Sequence, residues 1–371
     1  MREGWEYKKL GECTQILDSQ RKPVTKKDRK DGVYPYYGAT GIQDYVDKYI
    51  FEGRYVLVGE DGAKWGAFDK SAFIIDGKTW VNNHAHVLKP FEPLVDSYLT
   101  YYLNHSDLNG FISGAIVRKL TQSSLKNIKI PLPPKSTQLA IVSELDKINE
   151  LIRLKKEQLK DFDNLAQSIF YEMFGDPVEN EKGWEVKKLN DISQEIGDGL
   201  HGTPEYSDVD TGCFFINGNN LENGIIVIKD NTKTVSEKTK AKHYIEMDDF
   251  TILVSINGTL GKVAFYRGEN VILGKSACYI KLTSYNDKKY IYELLKSEYF
   301  KRYAETECTG TTIRNVSLKS MRNFPIPLPP LPLQHLFAQR IEQIEQQKAE
   351  VQKAITDLET LLASRMQYWF E

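Results

Sequence analysis

The stretch Ile130-Pro131-Leu132-Pro133-Pro134 ends one part of the chain and opens another, and it returns as Ile326-Pro327-Leu328-Pro329-Pro330. Proline is tolerated at the start of a helix but not in its interior, so each run marks a point where a helix begins. A second motif, Gly4-Trp5-Glu6-Tyr7-Lys8-Lys9-Leu10, returns as Gly183-Trp184-Glu185-Val186-Lys187-Lys188-Leu189. The chain therefore consists of two copies of one unit, a globular part followed by a helix.

The two copies differ in the length of their globular parts. The interval from Gly183 to Ile326 in the second copy is longer than the interval from Gly4 to Ile130 in the first. These parts, about 1–135 and 176–331, contain short apolar stretches broken by Gly, Asn and Asp. Such stretches predict strands joined by turns, and hence two matching β-rich α/β domains.

Apolar residues at heptad spacing follow each proline run and predict two long helices with apolar seams. Lys155 and Lys348 interrupt the seams. Either their aliphatic stems pack in the seam while the ammonium groups extend to solvent, or the two lysines belong to a surface that binds another protein. The helices would bury both seams by packing on each other, antiparallel if a pseudo-two-fold axis relates the units. Alternatively, each packs on its own globular part. The predicted seam residues are Leu145, Ile148, Ile152, Leu159, Phe162, Ile341, Ile344, Val351, Ile355 and Leu358.

Composition bounds the class of protein. Of 371 residues, 41% are hydrophobic and 27% charged, as in ordinary globular proteins, and no apolar run approaches the ~18 residues of a membrane span. The widely spaced Cys13, Cys213, Cys278 and Cys308 predict reduced thiols in a cytoplasmic protein. A net charge of −2 neither indicates nor excludes nucleic-acid binding. The basic segment 21–30 is either a binding patch or a solvated loop.

The order, duplication and spacing of these motifs resemble the specificity subunit of type I restriction-modification systems, over essentially the whole chain. The resemblance rests on the Trp-Glu openings of the two units and on the proline runs, each followed by a glutamine that opens the helix, Gln138 and Gln334. Two further segments, Tyr34-Pro35-Tyr36-Tyr37-Gly38-Ala39-Thr40-Gly41-Ile42 and Gly197-Asp198-Gly199-Leu200-His201-Gly202-Thr203-Pro204, resemble stretches common in that family's target recognition domains.

This resemblance implies a mixed α+β fold of two pseudo-symmetric β-rich α/β target recognition domains, separated by two long antiparallel coiled-coil helices. The domains would span 1–135 and 176–331, and the spacer helices 136–175 and 332–371. Each domain would read one half of a split, asymmetric target in double-stranded DNA. Two methyltransferase (M) subunits and the restriction (R) subunits would dock on the chain. S-adenosylmethionine, ATP and Mg²⁺ would belong to those partners, and none would be bound by this chain.

The sequence lacks catalytic signatures, so we expect a non-catalytic subunit. The Asn/Asp-Pro-Pro-aromatic motif of amino-methyltransferases is absent, and Gly274-Lys275-Ser276 lacks the glycine spacing of a phosphate loop. His84 and His86 could share one strand face, but no Cys or carboxylate cluster accompanies them in sequence, so no metal is expected. Glu60 and Asp61 are expected to lie in a solvated turn. Alternatively, these carboxylates accept a hydrogen bond from the amino group of cytosine in the major groove.

Loop residues of the types that contact DNA are the candidate site. Lys and Arg would hold phosphates, and Asn, Arg and His could contact base edges, although a surface or turn role stays open for each. Arg118 and Arg314 stand out because they recur at equivalent places, shortly after Gly114 and Gly310. The candidates are Lys64, Lys78, Asn82, Asn83, His84, Arg118, Lys119, His201, Thr203, Asn217, Asn219, Asn257, Thr259, Lys262, Lys275 and Arg314.

Two other functions compete with DNA recognition. One is an enzyme, a nuclease or methyltransferase, against which the missing motifs argue. The other is a protein-interaction scaffold that carries two heads on a coiled-coil rod and binds no DNA, for which the near-neutral charge is the best support.

Overall fold

The computed structural model describes residues 5–114, 116–308 and 314–371. The chain forms two compact units: unit 1 comprises 1–159 with 350–371, and unit 2 comprises 160–349. Each unit therefore includes part of both long helices. Within the described ranges, no helix is both long and apolar enough to span a membrane.

Unit 1 is built on a four-stranded antiparallel sheet in the order β2-β9-β6-β7, and a second sheet in the order β4-β3-β8-β5. Its helices are α1 (Leu10–Cys13), α2 (Asp96–His105), α3 (Gln122–Lys126) and the first part of α4 (Lys135–Phe174). Its strands are β1 (Glu6–Lys9), β2 (Thr14–Ile16), β3 (Tyr34–Gly38), β4 (Gly41–Val46), β5 (Phe51–Glu52), β6 (Tyr55–Gly59), β7 (Ala72–Ile75), β8 (Lys78–Val81), β9 (Ala85–Pro90), β10 (Ile112–Ser113), β11 (Lys119–Leu120) and β12 (Lys129–Leu132).

Unit 2 repeats the first sheet in the order β14-β21-β18-β19, while β15 and β20 form a parallel pair. Its helices are α5 (Glu237–His243), α6 (Lys288–Lys296), α7 (Glu298–Thr306), α8 (Leu318–Asn323) and part of α9 (Leu331–Phe370). Its strands are β13 (Glu185–Lys188), β14 (Ser193–Asp198), β15 (Phe214–Ile216), β16 (Leu221–Glu222), β17 (Ile225–Ile226), β18 (Thr251–Ser255), β19 (Val263–Phe265), β20 (Val271–Leu273), β21 (Ala277–Leu282) and β22 (Pro325–Leu328).

The central strand of each unit is buried on both faces. In β6, Val56 and Val58 belong to the core that includes α2, whereas Leu57 belongs to a second core on the other face. In β18, Val254 lies in the helix-facing core and Leu253 in the opposite one. Because successive side chains point to opposite faces, two buried faces require an unbroken apolar run, which is what both strands have.

The repeated motifs pair with each other. β1 from the first motif runs antiparallel to β12 from the proline run, and β13 pairs with β22 in the same register. The Oε1 of Gln138 accepts from the Val95 amide at 2.8 Å, and its Nε2 donates to the Pro133 carbonyl at 2.9 Å. Gln334 makes the same two contacts with Asp287 and Pro329. The buried glutamine thus satisfies backbone groups where each long helix begins.

In unit 1, the two long helices run antiparallel. Glu144 of α4 accepts from the Arg365 guanidinium and, at 2.9 Å, from the indole of Trp369, while Lys156 pairs with Glu359 at 2.8 Å. The end of α9 also joins the core of residues 1–134, where Met366 is buried. The first part of each helix also packs on its own globular part, since Leu145 of α4 lies in the unit 1 core and Phe337 of α9 in the unit 2 core, so the two predicted packing modes occur together.

In unit 2, the remaining helix segments meet around an aromatic cluster of Phe170, Phe174, Tyr290 and Phe337, whose ring centroids lie 4.7–5.8 Å apart. Lys348 donates to Asp163 at 3.0 Å, so this lysine finds a carboxylate on the other helix. The predicted seam residues are all buried or half-buried in their own units. The fold class predicted from the sequence, two β-rich α/β domains with long helices, is confirmed.

Candidate nucleic-acid interface

Three loops of unit 1 meet at one end of its central sheet. The Glu60 amide donates to the His84 carbonyl and the Leu120 amide to the Glu60 carbonyl, both at 2.8 Å. Asp61 and Lys119 form an isolated antiparallel bridge. These bonds bring together Asp61, Asn83, His84 and Lys119, which we call the sheet-end site of unit 1. Asn83 and His84 are exposed, and His84 Nδ1 contacts the Asp61 carboxylate.

A buried charge cluster supports this site. Glu60 is only 7% exposed, so the expectation of a solvated turn is wrong for it. Arg21 Nη1 donates to Glu60 Oε2 at 2.5 Å and to the Ala85 carbonyl at 2.7 Å, and Lys119 Nζ lies 2.7 Å from Glu60 Oε1. Burial alone would raise the pKa of Glu60, but hydrogen bonds from Lys119 and Arg21 outweigh it and hold the pKa below its usual value.

His86 completes the cluster beneath the loops. Its ring is fully buried, with Nδ1 2.6 Å from Asp18 Oδ2 and Nε2 2.7 Å from the Leu120 carbonyl. Burial would raise the pKa of Asp18, but hydrogen bonding to His86 and the charges of His86 and Arg21 hold it below its usual value. We call Asp18, Arg21, Glu60, His86 and Lys119 the charge cluster.

Three side chains of the charge cluster are as close together as the ligands of a metal ion, but each of them is already paired with another group of the protein. Ligand atoms of Asp18, Glu60 and His86 lie within 4.8 Å of one another. Both imidazole nitrogens, however, already face acceptors, and Arg21 and Lys119 supply the positive charge that the carboxylates need. His84 contacts a different acid, Asp61, so the two histidines do not form a shared site.

Unit 2 has the same framework with different side chains. Val58 pairs with His86 in unit 1, and Val254 pairs with Cys278 in unit 2. By this register, Ile256 stands where unit 1 has Glu60, Cys278 where it has His86, and Asn315 where it has Lys119. The backbone bonds are also repeated, since the Val316 amide donates to the Ile256 carbonyl at 2.9 Å.

The equivalent groove of unit 2, which we call the sheet-end site of unit 2, has a volume of about 460 Å³. It is lined in part by Asp198, His201, Asn257, Lys275 and Asn315. His201 Nε2 lies 2.7 Å from Asp198 Oδ2, and Asn257 Nδ2 donates to Asn315 Oδ1 at 3.4 Å. Lys275 is exposed. Three of the sequence-predicted candidates, from loops far apart in the chain, therefore meet in one groove.

The two recurring arginines lie beside these sites. Arg118 is exposed, donates to Asn109 Oδ1 at 2.5 Å and stands 6.0 Å from the Trp65 ring. Arg314 is also exposed and pairs with Glu305 at 2.9 Å, while its carbonyl accepts from Gly258. Gly310, the glycine that matched Gly114 in the repeat, lies outside the described residues.

Other candidates lie apart from the two sites or are buried. Lys78 contacts Glu52 and Tyr49 at the opposite end of β8, and Lys64 and Thr203 are exposed on loops. Asn82 is only 2% exposed, with its amide bonded to Gln43 and to the His84 backbone, so in this structure the side chain positions the turn.

Of the basic segment 21–30, two members turn inward. The side chain of Arg21 is 12% exposed in the charge cluster, and that of Arg29 is 17% exposed, paired with Asp44 and stacked on Tyr36. The description of the whole segment as a solvated loop is therefore wrong. No local pattern shows this, because the partners Glu60 and Asp44 are distant in sequence.

The remaining candidates of unit 2, Asn217, Asn219 and Lys262, line a separate pocket of about 470 Å³. Thr259 lies on the turn after β18, where its carbonyl accepts from Ser255 Oγ at 2.6 Å. The pocket also includes Tyr206 and Phe215, two aromatic residues that sequence reasoning missed. A local signal was present only for Phe215, which shortly precedes Asn217 and Asn219, because Tyr206 has no Asn or Lys beside it in the sequence.

Comparison with known proteins shows which proteins this chain is similar to. A putative type I restriction enzyme specificity subunit of Haemophilus influenzae is 30% identical over 363 residues, which cover 92% of this chain and 87% of that protein. The fold matches the crystal structure of a type I restriction-modification S subunit from M. genitalium with a TM-score of 0.58 and 14% identity, over 100% of this chain and 98% of that chain. It also matches a structure that explains complex assembly and conformational transition of the type I R-M system, with a TM-score of 0.60 and 18% identity, over 100% and 98% of the two chains.

The family described as type I restriction modification DNA specificity domain matches twice, at residues 2–161 and 181–360. Each match begins near a Trp-Glu motif and runs through a proline run into a long helix, so the family's unit is the repeat found here. The chain belongs to the specificity-subunit family of type I restriction-modification systems.

Proposed function

We propose that this chain reads a bipartite, asymmetric DNA target, with one half-site for each unit. The observation that carries the proposal is the pair of sheet-end sites: the same backbone hydrogen bonds hold different side chains at equivalent positions. Because the framework is shared, the two units would present surfaces of the same geometry to DNA. Because the exposed side chains differ, each surface would prefer different bases.

The exposed groups suit the two kinds of DNA contact. Arg118 and Arg314, beside the loops, would hold phosphates and set the register of each unit on the duplex. His84 in unit 1 and Asn257 in unit 2 would contact base edges, where imidazole and amide groups can donate and accept. The buried members of the charge cluster, Asp18, Arg21, Glu60 and His86, would hold the unit 1 loops in place without contacting DNA.

The chemistry would belong to partners. Specificity subunits are in general non-catalytic, and we propose that two methyltransferase subunits and the restriction subunits dock on this chain. S-adenosylmethionine, ATP and Mg²⁺ would then be bound by those subunits. The charge cluster fits this division, since its own cations already neutralise the carboxylates that a metal would require.

Methylome sequencing tests the proposal. Cells that express this chain with its methyltransferase subunit are compared with cells that express the methyltransferase subunit alone. We expect new N6-methyladenine in a single split motif with a fixed unspecified gap. His84→Ala and Asn257→Ala should each alter one half of the motif and leave the other unchanged. A purified, intact complex that adds no methylation would contradict the proposal and favour a scaffold that binds no DNA.

A further inference from the structure

The pocket that contains Asn217, Asn219 and Asn231 in unit 2 is separate from the two sheet-end sites. It has a volume of about 470 Å³ and is flanked by the rings of Tyr206 and Phe215, which meet edge to face with centroids 6.1 Å apart. We call it the asparagine pocket. Lysines stand at its margins, and Glu222, near Lys262, is paired with Lys229 at 2.6 Å.

Much of this pocket comes from the segment that makes unit 2 longer. The parallel pair Tyr37–Val81 of unit 1 corresponds to Ile216–Leu273 of unit 2, and β6 corresponds to β18. Between these anchors unit 1 has only the segment 38–54, whereas unit 2 has 217–250, which is twice as long. The whole difference in length between the two globular parts therefore falls in the segment that carries Asn219 and Asn231, and unit 1 has no equivalent of this wall among its described residues.

The framework orients the amide of Asn217. Its Oδ1 accepts from Ser276 Oγ at 3.2 Å, and Ser276 Oγ accepts from the Gly218 amide at 3.0 Å. The side chain packs on Gly274, where a Cβ would stand 2.3 Å from Asn217 Oδ1. Its Nδ2 has no hydrogen-bond partner within the described parts of the chain, so a donor is left available in the pocket.

The neighbouring Asn219 lies on a short hydrogen-bonded turn, 218–220. Below it, the buried Asn220 accepts from the Asn217 amide at 3.0 Å and donates to the Val227 carbonyl at 2.9 Å. The carbonyl of Asn219 accepts from Lys229 at 3.0 Å. Its side-chain amide is exposed and bonds to no other described residue, so its donor and its acceptor are both available to a ligand.

Taken with the proposed function, on which this inference rests, we propose that the asparagine pocket reads an adenine in the half-site of unit 2. An amide presents one donor and one acceptor side by side, which matches adenine N7 and N6 in the major groove. The aromatic walls suit the methyl group of the paired thymine. Lys233, whose Nζ lies 4.8 Å from the Tyr206 ring, and Lys262 would contact the flanking phosphates.

The test uses the full chain in complex with its methyltransferase subunit, with the methylated motif as the readout. Asn219→Ala should reduce discrimination at one A·T pair of one half-site by about 10- to 100-fold and leave the other half-site unchanged. Asn219→Asp should shift the preference at that pair towards cytosine, whose amino group a carboxylate accepts. Asn190→Ala, an exposed asparagine of the same unit outside the pocket, is the matched control and should keep the wild-type motif.

The outcomes separate this inference from the proposed function. If the wild-type chain directs no split-motif methylation, the proposed function fails, and the pocket's role fails with it. If the wild-type motif is clear but both Asn219 variants retain it, or if the lost discrimination falls on a G·C pair, only the asparagine pocket is rejected. Thermal unfolding and complex formation are measured for each variant, and the Asp variant, nearly equal in size, keeps the test decisive if the Ala variant is unstable.

Discussion

The charge cluster of unit 1 gives a quantitative prediction for Arg21→Ala. The Arg21 side chain is 12% exposed and contacts Glu60, Asp18 and the Ala85 carbonyl. Removing one partner of a buried ion pair costs about 3–5 kcal/mol, because the other charge stays buried. Lys119 and His86 remain beside Glu60 at 2.7 and 3.7 Å, so we expect the lower end, about 3 kcal/mol.

Urea denaturation followed by tryptophan fluorescence measures this loss. Trp5, Trp65, Trp80 and Trp369 belong to unit 1, so four of the five tryptophans report on it. With a slope of roughly 2 kcal/mol per molar, the midpoint of the unit 1 transition should fall by about 1.5 M urea. Arg54→Ala is the matched control in the same unit, because Arg54 is 48% exposed, and its loss should cost no more than about 1 kcal/mol.

The effect should also depend on pH. Asp18 and Glu60 have folded-state pKa values below their ordinary ones, so the stability that they contribute is present above about pH 4 and is lost as pH falls through the folded values. The free-energy difference between wild type and Arg21→Ala should therefore shrink in acid. If the variant loses under about 1 kcal/mol at pH 7, no more than the Arg54 control, the charge cluster does not stabilise unit 1.

Three further changes test other parts of the chain. Arg118→Ala should weaken DNA binding by the assembled complex across all sequences and reduce the slope of log K against log salt by about 0.9; an unchanged slope would rule out a phosphate contact. Phe170→Ala, which opens a cavity beside Phe337 in the aromatic cluster, should cost about 3–5 kcal/mol in urea denaturation. The Arg365 hydrogen bond holds the pKa of Glu144 below its usual value, so Glu144→Gln should make stability less sensitive to acid; a wild-type acid profile would refute this linkage.

The helices and the central strands were predictable because their signals are local. Proline punctuation and heptad spacing lie within single segments, and the helices begin at Lys135 and Leu331, directly after the proline runs. The apolar stretch ending at Val58 is a strand because it is buried on both faces. In each case, neighbouring residues carry the information.

The details of the sites were not predictable because they depend on contacts between distant segments. Glu60 meets Arg21, which lies far before it in the chain, and nothing near Glu60 in the sequence indicates that the side chain is buried. Asn82 has the residue type of a base contact but is used inside its turn. The asparagine pocket requires a residue without a side chain at Gly274, because a Cβ there would clash with Asn217. The two residues are far apart in the sequence, so no local sequence pattern predicts this contact.

The division of the chain into units has a consequence for folding during synthesis. Unit 2 is formed by the continuous segment 160–349, so all of it is synthesised before residues 350–371. Unit 1 begins earlier but needs 350–371, which supply Met366 and Phe370 to its core. Unit 1 therefore begins before unit 2 in the chain but is completed after it, and its apolar core would have to be kept from aggregation until residues 350–371 have been synthesised.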